Sequence, residues 1–372
     1  MQIGIDARAA LWYRGSGIGT YTYQLVRGLL AIDPVNQYHL VYPPHEWIAA
    51  RGGFQLAAGE SKNREFWQDV QMEPDLGEPL LDVYHIPQNG IGLPFGWPRQ
   101  VKIVITVHDL IPFVLPQTCS KFYLRTALQE LPRIVDRADY IIAVSFHTKR
   151  DLMQILGVPE DKIAVIYEAA ESMYKPMCRH QAHIHAREQW GIDGPYILNV
   201  GGFSRRKNLV GLVRAFRHIM SELPEGCQLV LVGGGGGGSY EEIKDLVDKW
   251  GLAKRVLFPG FVPTESMPIL YNGAELFVYP SLYEGFGLPP LEAMACGVPV
   301  VAANASSIPE VVGDAALLYD PYDENSLSQA VLQVVQDEKT RERLIERGAK
   351  QQARFSWVKA ATETWMVYQS LA

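Results

Sequence analysis

The feature of this sequence that most constrains its fold is an alternation of short β-branched runs with amphipathic stretches along nearly the whole chain. This alternation is typical of parallel α/β architecture, in which helices cover both faces of a sheet. Several runs are continuously apolar, as expected for strands buried on both faces. Apolar residues recur at helical spacing most clearly in residues 18–31, 209–220 and 327–335.

The strand candidates form two series of six. The predicted strands span residues 2–6, 38–42, 83–86, 101–107, 140–144 and 163–166 in the first series, and 196–200, 228–232, 256–258, 276–279, 299–302 and 317–319 in the second. A chain of 372 residues is too long for one typical domain and suits two domains of about 150–200 residues each. We therefore predict an α/β fold with two Rossmann-like domains that face each other across a cleft.

The domain boundaries follow from the same pattern. Residues 1–178 form the predicted N-terminal domain and residues 191–355 the predicted C-terminal domain. Residues 179–190 are the predicted linker, because this region is rich in His, Arg and other polar residues and poor in strand pattern. Residues 356–372 are predicted to form a C-terminal helix that packs back on the N-terminal domain, since residues 357–368 have helical spacing.

Charge and cysteine content restrict the partners and the compartment. The formal net charge of -7 argues against a nucleic-acid binder, which needs a basic surface. The N-terminal residues include Asp6 and Arg8, where a signal peptide needs an apolar core, and no apolar run approaches the roughly 18 residues of a membrane span. The four cysteines include no Cys-x-x-Cys pair. We therefore expect a cytoplasmic protein with reduced thiols.

Two glycine-rich loops follow predicted strands. The first contains Gly15, Gly17 and Gly19 and leads into a helix, whose N-terminal amides could meet an anion; a flexible turn is the alternative. It is not a dinucleotide fingerprint, because Thr20 stands where that motif needs glycine. The second loop, residues 233–238, is six glycines and matches any glycine pattern, so we interpret it as a mobile loop.

Charged residues also follow predicted strands. His108 and Asp109 end an apolar strand, and for His108 a functional role and a structural role remain equally open. Arg205, Arg206 and Lys207 follow the strand at residues 196–200 and precede a helix. Adjacent cations at the carboxyl end of a strand suit a diphosphate, and a solvated charge run is the alternative.

The segment with the strongest functional pattern is residues 283–292, which read Tyr-Glu-Gly-Phe-Gly-Leu-Pro-Pro-Leu-Glu. Pro289 and Pro290 suit the first turn of a helix, so the preceding amides would converge near a helix N-terminus and bind phosphate or sugar oxygens. Glu284 and Glu292 are separated by seven residues. Because carboxylates accept from hydroxyls, one could meet the transferred sugar and the other a ribose.

In these motifs the sequence resembles the retaining glycosyltransferases of family 4 (group 1), which have the glycosyltransferase B (GT-B) fold. The resemblance covers nearly the whole chain and lies in the ordered set of the early glycine loop, His108, the Arg206-Lys207-Asn208 element and the Glu284-x7-Glu292 motif. It implies a hexosyltransferase with an N-terminal acceptor domain and a C-terminal domain that binds the nucleotide-sugar donor. The details look most like mannosyltransferases of polysaccharide assembly.

The resemblance also implies the roles of individual residues. Arg206 and Lys207 would neutralise the diphosphate, and Glu292 would bind the ribose. Glu284 would act on the sugar together with His108, as the catalytic residues. The remaining donor-binding residues it implies are Gly17, Gly19, Phe261, Val262, Gly285, Phe286, Gly287 and Leu288. Of these, Phe261 and Val262 would lie near the base.

The implied substrates are a nucleotide diphosphate sugar and a glycan or lipid-linked acceptor. GDP-mannose is the first donor hypothesis and a UDP-sugar the second. No metal is expected, because the sequence contains no Asp-x-Asp triplet and Arg206 and Lys207 can supply the positive charge.

Other functions with this fold stay open at this point. A nucleotide-sugar epimerase would convert the donor alone, and a catalytically silent subunit would bind it without turnover. An NAD oxidoreductase is disfavoured by the absence of a convincing dinucleotide fingerprint. A stretch that contains Lys121, Phe122, Arg125, Arg133 and Arg137 could bring the protein to the inner face of a membrane as a peripheral contact; an ordinary surface helix is the alternative.

Overall fold

The computed structural model describes residues 1–12, 15–42, 46–50, 81–90, 100–234 and 239–371. The chain divides into two compact units. The first consists of Met1–Glu168 together with Ser356–Ala372, and the second of Ala169–Phe355. No helix in the described part of the chain is long and apolar enough to cross a membrane.

The described part of the first unit contains a seven-stranded sheet in the order β3-β2-β1-β4-β5-β6-β7. The strands are β1 (Gln2–Asp6), β2 (Gln37–Tyr42), β3 (Glu46–Ala50), β4 (Val83–Ile86), β5 (Lys102–Val107), β6 (Tyr140–Ala143) and β7 (Ile163–Val165). All neighbouring strands are parallel except β2 and β3. The helices are α1 (Arg8–Trp12), α2 (Gly17–Ile32), α3 (Ile111–Val114), α4 (Lys121–Arg137), α5 (Phe146–Leu156) and α14 (Trp357–Leu371).

The described part of the second unit contains a six-stranded sheet in the order β10-β9-β8-β11-β12-β13, parallel throughout. The strands are β8 (Tyr196–Val200), β9 (Gln228–Val232), β10 (Val256–Gly260), β11 (Leu276–Tyr279), β12 (Val300–Ala303) and β13 (Ala316–Tyr319). The helices are α6 (Arg179–Trp190), α7 (Leu209–Ile219), α8 (Tyr240–Lys249), α9 (Met267–Gly273), α10 (Leu288–Ala295), α11 (Ile308–Val312), α12 (Glu324–Gln336) and α13 (Glu338–Gln352). This is the strand order of a doubly wound nucleotide-binding domain.

The prediction of two Rossmann-like sheets is confirmed, and each of the twelve predicted strands is present with its ends shifted by no more than a residue or two. The antiparallel edge strand β3 was not predicted. Strands β11 and β12 are buried at every position, which explains their continuously apolar sequences.

The predicted linker at residues 179–190 is wrong: this segment is the helix α6 and belongs to the second unit. The chain passes from the first unit to the second between Glu168 and Ala169 instead. The helix is hard to see in the sequence because only Ala182 and Ala186 are buried, while most of its other side chains are polar and exposed. Small apolar residues four positions apart give a weak helical signal.

Helix α14 packs against α2 within the first unit. A Cβ atom on Gly28 of α2 would lie 2.8 Å from the Cβ of Ala361, so glycine permits the close approach of the two helices. A buried hydrogen-bond chain continues into the sheet, because the Tyr368 hydroxyl lies 2.6 Å from Nδ1 of His85 and Nε2 of His85 lies 2.8 Å from the Thr106 hydroxyl. The last helix of the chain is thus part of the core of the first unit.

Candidate active site

The functional residues of the second unit lie where its sheet changes direction. In the order β10-β9-β8-β11-β12-β13, chain progression reverses between β8 and β11. Ligands of doubly wound domains bind at the carboxyl ends of the strands beside such a reversal. The cations Arg206 and Lys207 follow β8, and Glu284 follows β11. Topology therefore places the two predicted motifs side by side.

Arg206, Lys207 and Glu284 form one cluster of buried and half-buried charges. An Nη atom of Arg206 lies 2.6 Å from Oε1 of Glu284, and the Lys207 ammonium lies 2.7 Å from the same oxygen. Two backbone contacts hold the elements together: Leu282 donates its N–H to the Arg206 carbonyl at 2.7 Å, and the Arg206 guanidinium donates to the Tyr283 carbonyl at 3.0 Å. The cluster is therefore fixed by backbone as well as by charge.

The Glu284 carboxylate is held ionised by its neighbours. Burial raises the pKa of a carboxyl group, but the charges of Arg206 and Lys207 and their hydrogen bonds lower the pKa of Glu284 to about 2. Lys207 is oriented further by the Tyr279 side chain, whose hydroxyl accepts from the ammonium at 3.2 Å. Two cations and one carboxylate leave a net positive charge, which suits an anionic ligand.

The loop between Glu284 and α10 takes its shape from backbone geometry and from two serines. Gly287 has φ +116°, which disfavours a side chain there, and it is followed by a helix with proline in its first turn. Ser306 accepts from the Glu284 N–H at 2.8 Å. The Ser307 hydroxyl lies 2.8 Å from the carbonyls of both Glu284 and Phe286. Because these carbonyls are engaged, the loop is held in one conformation at the start of α10.

Glu292 lies within α10 and has different partners from Glu284. The Tyr271 hydroxyl donates to Oε2 of Glu292 at 2.7 Å. The pKa of Glu292 is raised to about 7: burial is the largest cause and the nearby Glu171 carboxylate adds to it, whereas hydrogen bonds from Tyr271 and Tyr174 lower the pKa and only partly offset these effects. The two carboxylates of the Glu-x7-Glu motif thus differ in ionisation: one is held charged, and the other titrates near neutrality.

Phe261 and Val262 follow β10, which is an edge strand of the sheet. Strand β9 lies between β10 and β8. Two strand spacings of about 4.8 Å each separate β10 from β8 in the sheet. Phe261 is 66% exposed, whereas Val262 is buried. The exposed ring of Phe261, which follows this edge strand, offers a face on which a flat ring could stack.

The six-glycine loop has a structural requirement at its first position. A Cβ atom on Gly233 would lie 2.0 Å from the Gly201 carbonyl oxygen, so only glycine allows the ends of β8 and β9 to approach this closely. Residues 235–238, on which the prediction of a mobile loop mainly depends, lie outside the described residues.

Arg205 does not join the charge cluster. Its side chain is 67% exposed, and its guanidinium lies 3.8 Å from Glu242. The three adjacent cations of the sequence thus have different environments in the structure, with Arg206 and Lys207 facing Glu284 and Arg205 at the surface.

In the first unit, Gly17 and Gly19 lie in the first turn of α2. Ser16 caps this helix by accepting from the Gly19 N–H at 3.2 Å. A Cβ atom on Gly17 would meet no described atom within 4 Å, so packing within the described part of the unit does not require glycine at this position.

His108 is buried, and both of its ring nitrogens contact acceptor groups. Nδ1 lies 3.0 Å from Oε1 of Glu168, and Nε2 lies 2.8 Å from the Pro87 carbonyl. Burial lowers the pKa of His108, but the hydrogen bond and charge of Glu168 raise it above its ordinary value. Since both partners are acceptors, the doubly protonated ring satisfies both contacts. The ring also packs edge-on against Tyr21, with centroids 4.8 Å apart.

Comparison with known proteins decides the family. The Glycosyltransferase Family 4 model matches residues 15–170, and the model for glycosyl transferases group 1 matches residues 181–351. The chain is similar to O-antigen chain mannosyltransferase B of Escherichia coli, with 36% identity over 297 residues that cover 78% of this chain and 74% of the relative. The chain belongs to glycosyltransferase family 4.

Two further similarities extend this assignment. The family 4 chain is 29% identical over 366 residues to the serotype-specific mannosyltransferase WbdA of Escherichia coli. The aligned residues cover 91% of this chain but only 43% of that longer relative. A structure of Anabaena Alr3699/HepE in complex with UDP-glucose superposes on the whole chain with a TM-score of 0.73 at 20% identity, covering 100% of both chains. The fold is therefore that of the GT-B glycosyltransferases, as predicted.

Several residues around the family 4 site were not predicted from the sequence. Ser306 and Ser307 shape the loop, and their position soon after β12 gave a signal that could have been used. Tyr271 and Tyr174 hold Glu292, but in sequence they are indistinguishable from core aromatic residues. Among the described residues, no group of three His, Cys, Asp or Glu side chains is arranged to hold a metal ion.

Proposed function

We propose that this glycosyltransferase transfers mannose from GDP-mannose to a glycan or lipid-linked acceptor, with retention of configuration. The relatives named as mannosyltransferases support the sugar, and the charge cluster of Arg206, Lys207 and Glu284 supports a diphosphate donor. A UDP-sugar is the second donor hypothesis, supported by the UDP-glucose complex of a protein with the same fold.

The donor roles follow from the chemistry of each element. Arg206 and Lys207 neutralise the diphosphate, and the amides of Gly285, Phe286, Gly287 and Leu288 bind phosphate and sugar oxygens at the start of α10. Glu292 accepts from the ribose hydroxyls, and Phe261 and Val262 lie near the base. The roles of Gly17, Gly19 and His108 in donor binding and catalysis rest on the resemblance to the family.

Leaving-group stabilisation by protein cations makes a metal unnecessary in this proposal. Charge grows on the diphosphate as the glycosidic bond breaks, and a fixed guanidinium and ammonium stabilise that charge without reorganisation. Activity should therefore persist in EDTA, and a strict requirement for added magnesium would contradict this part of the proposal.

The observation that supports this proposal most is the contact of Arg206 and Lys207 with Glu284 at the sheet reversal. The test is product analysis on GDP-mannose, UDP-glucose, UDP-galactose and ADP-glucose, each with and without a mannose-terminated acceptor. Acceptor-dependent mannosyl transfer from GDP-mannose is expected. Conversion of a donor without acceptor would indicate an epimerase, and binding of GDP without turnover on any acceptor would indicate a silent subunit.

We also propose peripheral contact of the first unit with an anionic membrane through one face of α4. Its exposed side chains include Phe122 (46% exposed) and Leu128 (44% exposed) beside Lys121, Arg125 and Arg133. Apolar side chains among cations bind anionic lipid surfaces. Phe122→Ser should reduce flotation with anionic vesicles, whereas Val358→Ser, an exposed apolar change on α14, should not. Equal flotation of both variants would contradict the proposal.

A further inference from the structure

The carboxyl group of Glu292 is enclosed by two tyrosines. Tyr271, which is completely buried, donates to Oε2 at 2.7 Å, and Tyr174 hydrogen-bonds to the same carboxyl group. The two aromatic rings pack edge to face with centroids 5.6 Å apart. Tyr271 also packs against Phe277, with centroids 5.5 Å apart. The ring contacts leave each hydroxyl little freedom to move away from the carboxyl group.

The two tyrosines come from elements that are tied to each other by Asn272. Tyr271 lies in α9, and Tyr174 lies in the segment between Ala169 and α6. The Asn272 side chain donates to the Lys175 carbonyl at 3.1 Å and accepts from the Met177 N–H at 2.8 Å. This side chain therefore joins the segment that carries Tyr174 to the helix that carries Tyr271.

An ionised carboxylate has about four acceptor positions on its two oxygens. The two tyrosine hydroxyls use two of these positions, and two remain for a pair of vicinal hydroxyls on one ligand. With both tyrosines in place, the two acceptor positions that remain on the carboxylate match the two vicinal hydroxyls of a ribose.

We propose that Tyr271 and Tyr174 are positioning residues for donor recognition, which hold the Glu292 carboxylate in the orientation that accepts from the ribose hydroxyls of the nucleotide. This inference rests on the proposed role of Glu292 in ribose binding. Neither tyrosine needs to touch the donor, because each acts through the carboxylate.

The charges around Glu292 determine how this positioning can be measured. The groups that face it are Tyr271 from α9, Glu171 and Tyr174 from the segment before α6, and Cys296, which directly follows α10. Burial and Glu171 raise the pKa of Glu292, whereas the tyrosine hydroxyls lower it by stabilising the ionised form. Removal of one hydroxyl therefore raises this pKa further. As a result, the pH at which the affinity for the nucleotide reaches half its maximum becomes higher.

The experiment is calorimetric titration of the full chain and its Tyr271→Phe variant with GDP, UDP and ADP from pH 5.5 to 9. For the nucleotide that wild type binds most tightly, Tyr271→Phe should raise Kd about three- to tenfold at pH 7. The difference should shrink towards pH 9. The donor KM should rise more than kcat falls, because the missing hydroxyl acts on binding.

Tyr196→Phe is the matched control. The Tyr196 hydroxyl is also buried in the second unit and donates to the Leu270 carbonyl at 2.7 Å, away from the carboxyl group of Glu292. Its loss should leave the pH midpoint of binding unchanged. Tyr174→Phe supplies a second measurement of the same kind, with a midpoint expected to move in the same direction as in Tyr271→Phe.

An equal loss of affinity at every pH in Tyr271→Phe would overturn the inference, since it would reflect a structural effect only. The inference would also be overturned if Glu292→Gln weakened nucleotide binding while the pH midpoint of binding stayed unchanged in both tyrosine variants. If Glu292→Gln itself bound nucleotide like wild type, the ribose assignment would fail first, and the two failures are therefore distinguishable.

Discussion

Lys207 and Glu284 meet at 2.7 Å between the ends of β8 and β11, although 76 residues separate them in the sequence. A bound diphosphate must share or replace the carboxylate as the partner of this ammonium. The affinity of the site for phosphate is therefore a balance between an internal anion and a ligand anion.

Lys207→Ala should weaken nucleoside diphosphate binding and slow transfer, because the variant removes a cation that meets growing charge on the leaving group. We expect a loss of about 10²-fold in kcat/KM. Arg205→Ala is the matched control, since the adjacent cation is exposed beside Glu242. Steady-state rates with GDP-mannose test the pair, and equal losses in both variants would contradict the assignment.

Glu284→Gln should cost stability at neutral pH and less in acid. The pKa of Glu284 is lowered to about 2 from 4.5, so its ionised form contributes stability above pH 4.5 that is lost as pH falls towards 2. This shift corresponds to about 3 kcal/mol of unfolding free energy at neutral pH. Urea unfolding at pH 7, 5 and 3 should show the gap between wild type and variant narrowing below pH 5. A constant gap would mean that the ion pairs do not supply the difference.

The same Glu284→Gln variant should bind inorganic pyrophosphate more tightly than wild type, because Arg206 and Lys207 lose an anionic competitor. Its transfer rate should nevertheless fall, since the resemblance assigns Glu284 to the reacting sugar. Calorimetry with pyrophosphate and initial-rate measurements separate the two effects. Weaker pyrophosphate binding would show that the carboxylate helps to organise the cations rather than competing with the ligand.

Glu292→Gln should raise Kd for the nucleoside diphosphate while the fold is retained, because a neutral amide is a weaker acceptor for ribose hydroxyls than a carboxylate. Glu265→Gln, an exposed change in the same unit, serves as the control. In wild type, the affinity should rise with pH through about 7, as the carboxyl group of Glu292 ionises. Calorimetric affinity that is unchanged in Glu292→Gln would indicate a structural role.

His108→Ala should lower kcat by about 10²-fold and donor affinity much less, as the family resemblance implies. It should also destabilise the first unit, because Glu168 would keep a buried charge without its partner. The raised pKa of His108 means that this stabilisation is complete below about 6.5 and is lost as pH rises through the folded pKa. Full activity of the variant would exclude a catalytic role.

The first-formed product should retain the anomeric configuration of the donor without a covalent glycosyl-enzyme. Double displacement needs a carboxylate nucleophile on the face of the sugar opposite the leaving group, whereas Glu284 and Glu292 are assigned to donor binding. The acceptor would then attack from the leaving-group side, where the departing phosphate can take its proton. NMR of the initial product tests the linkage. Inversion would contradict the mechanism, and a trapped intermediate would contradict only the route of attack.

The sheets could be predicted because buried parallel strands have continuously apolar sequences with little ambiguity. The helix α6 could not be recognised, because its buried face consists of Ala182 and Ala186 among polar residues. The charge cluster, in contrast, could be predicted, because Arg206, Lys207 and Glu284 are charged groups that follow the ends of strands. Tyr271 and Tyr174 do not, because their hydroxyls act within an aromatic cluster whose partners are distant in the sequence.

The pKa shift of His108 could not be predicted from the sequence either. Its position after β5 was predicted, but its charge depends on Glu168, which is 60 residues away, and on the Pro87 carbonyl. Such pairs are created by the topology of the sheet rather than by any local pattern. The sequence therefore identified the residue but not its protonation state.

Helix α14 has a consequence for how the protein is made. The first unit contains residues from both sides of the second unit, because Met1–Glu168 is completed by Ser356–Ala372. During synthesis, all residues of the second unit are therefore added before the helix of the first unit that covers α2. We expect a fragment ending at Phe355 to contain one finished unit and one with an exposed apolar groove, so such truncations should be retained by chaperones.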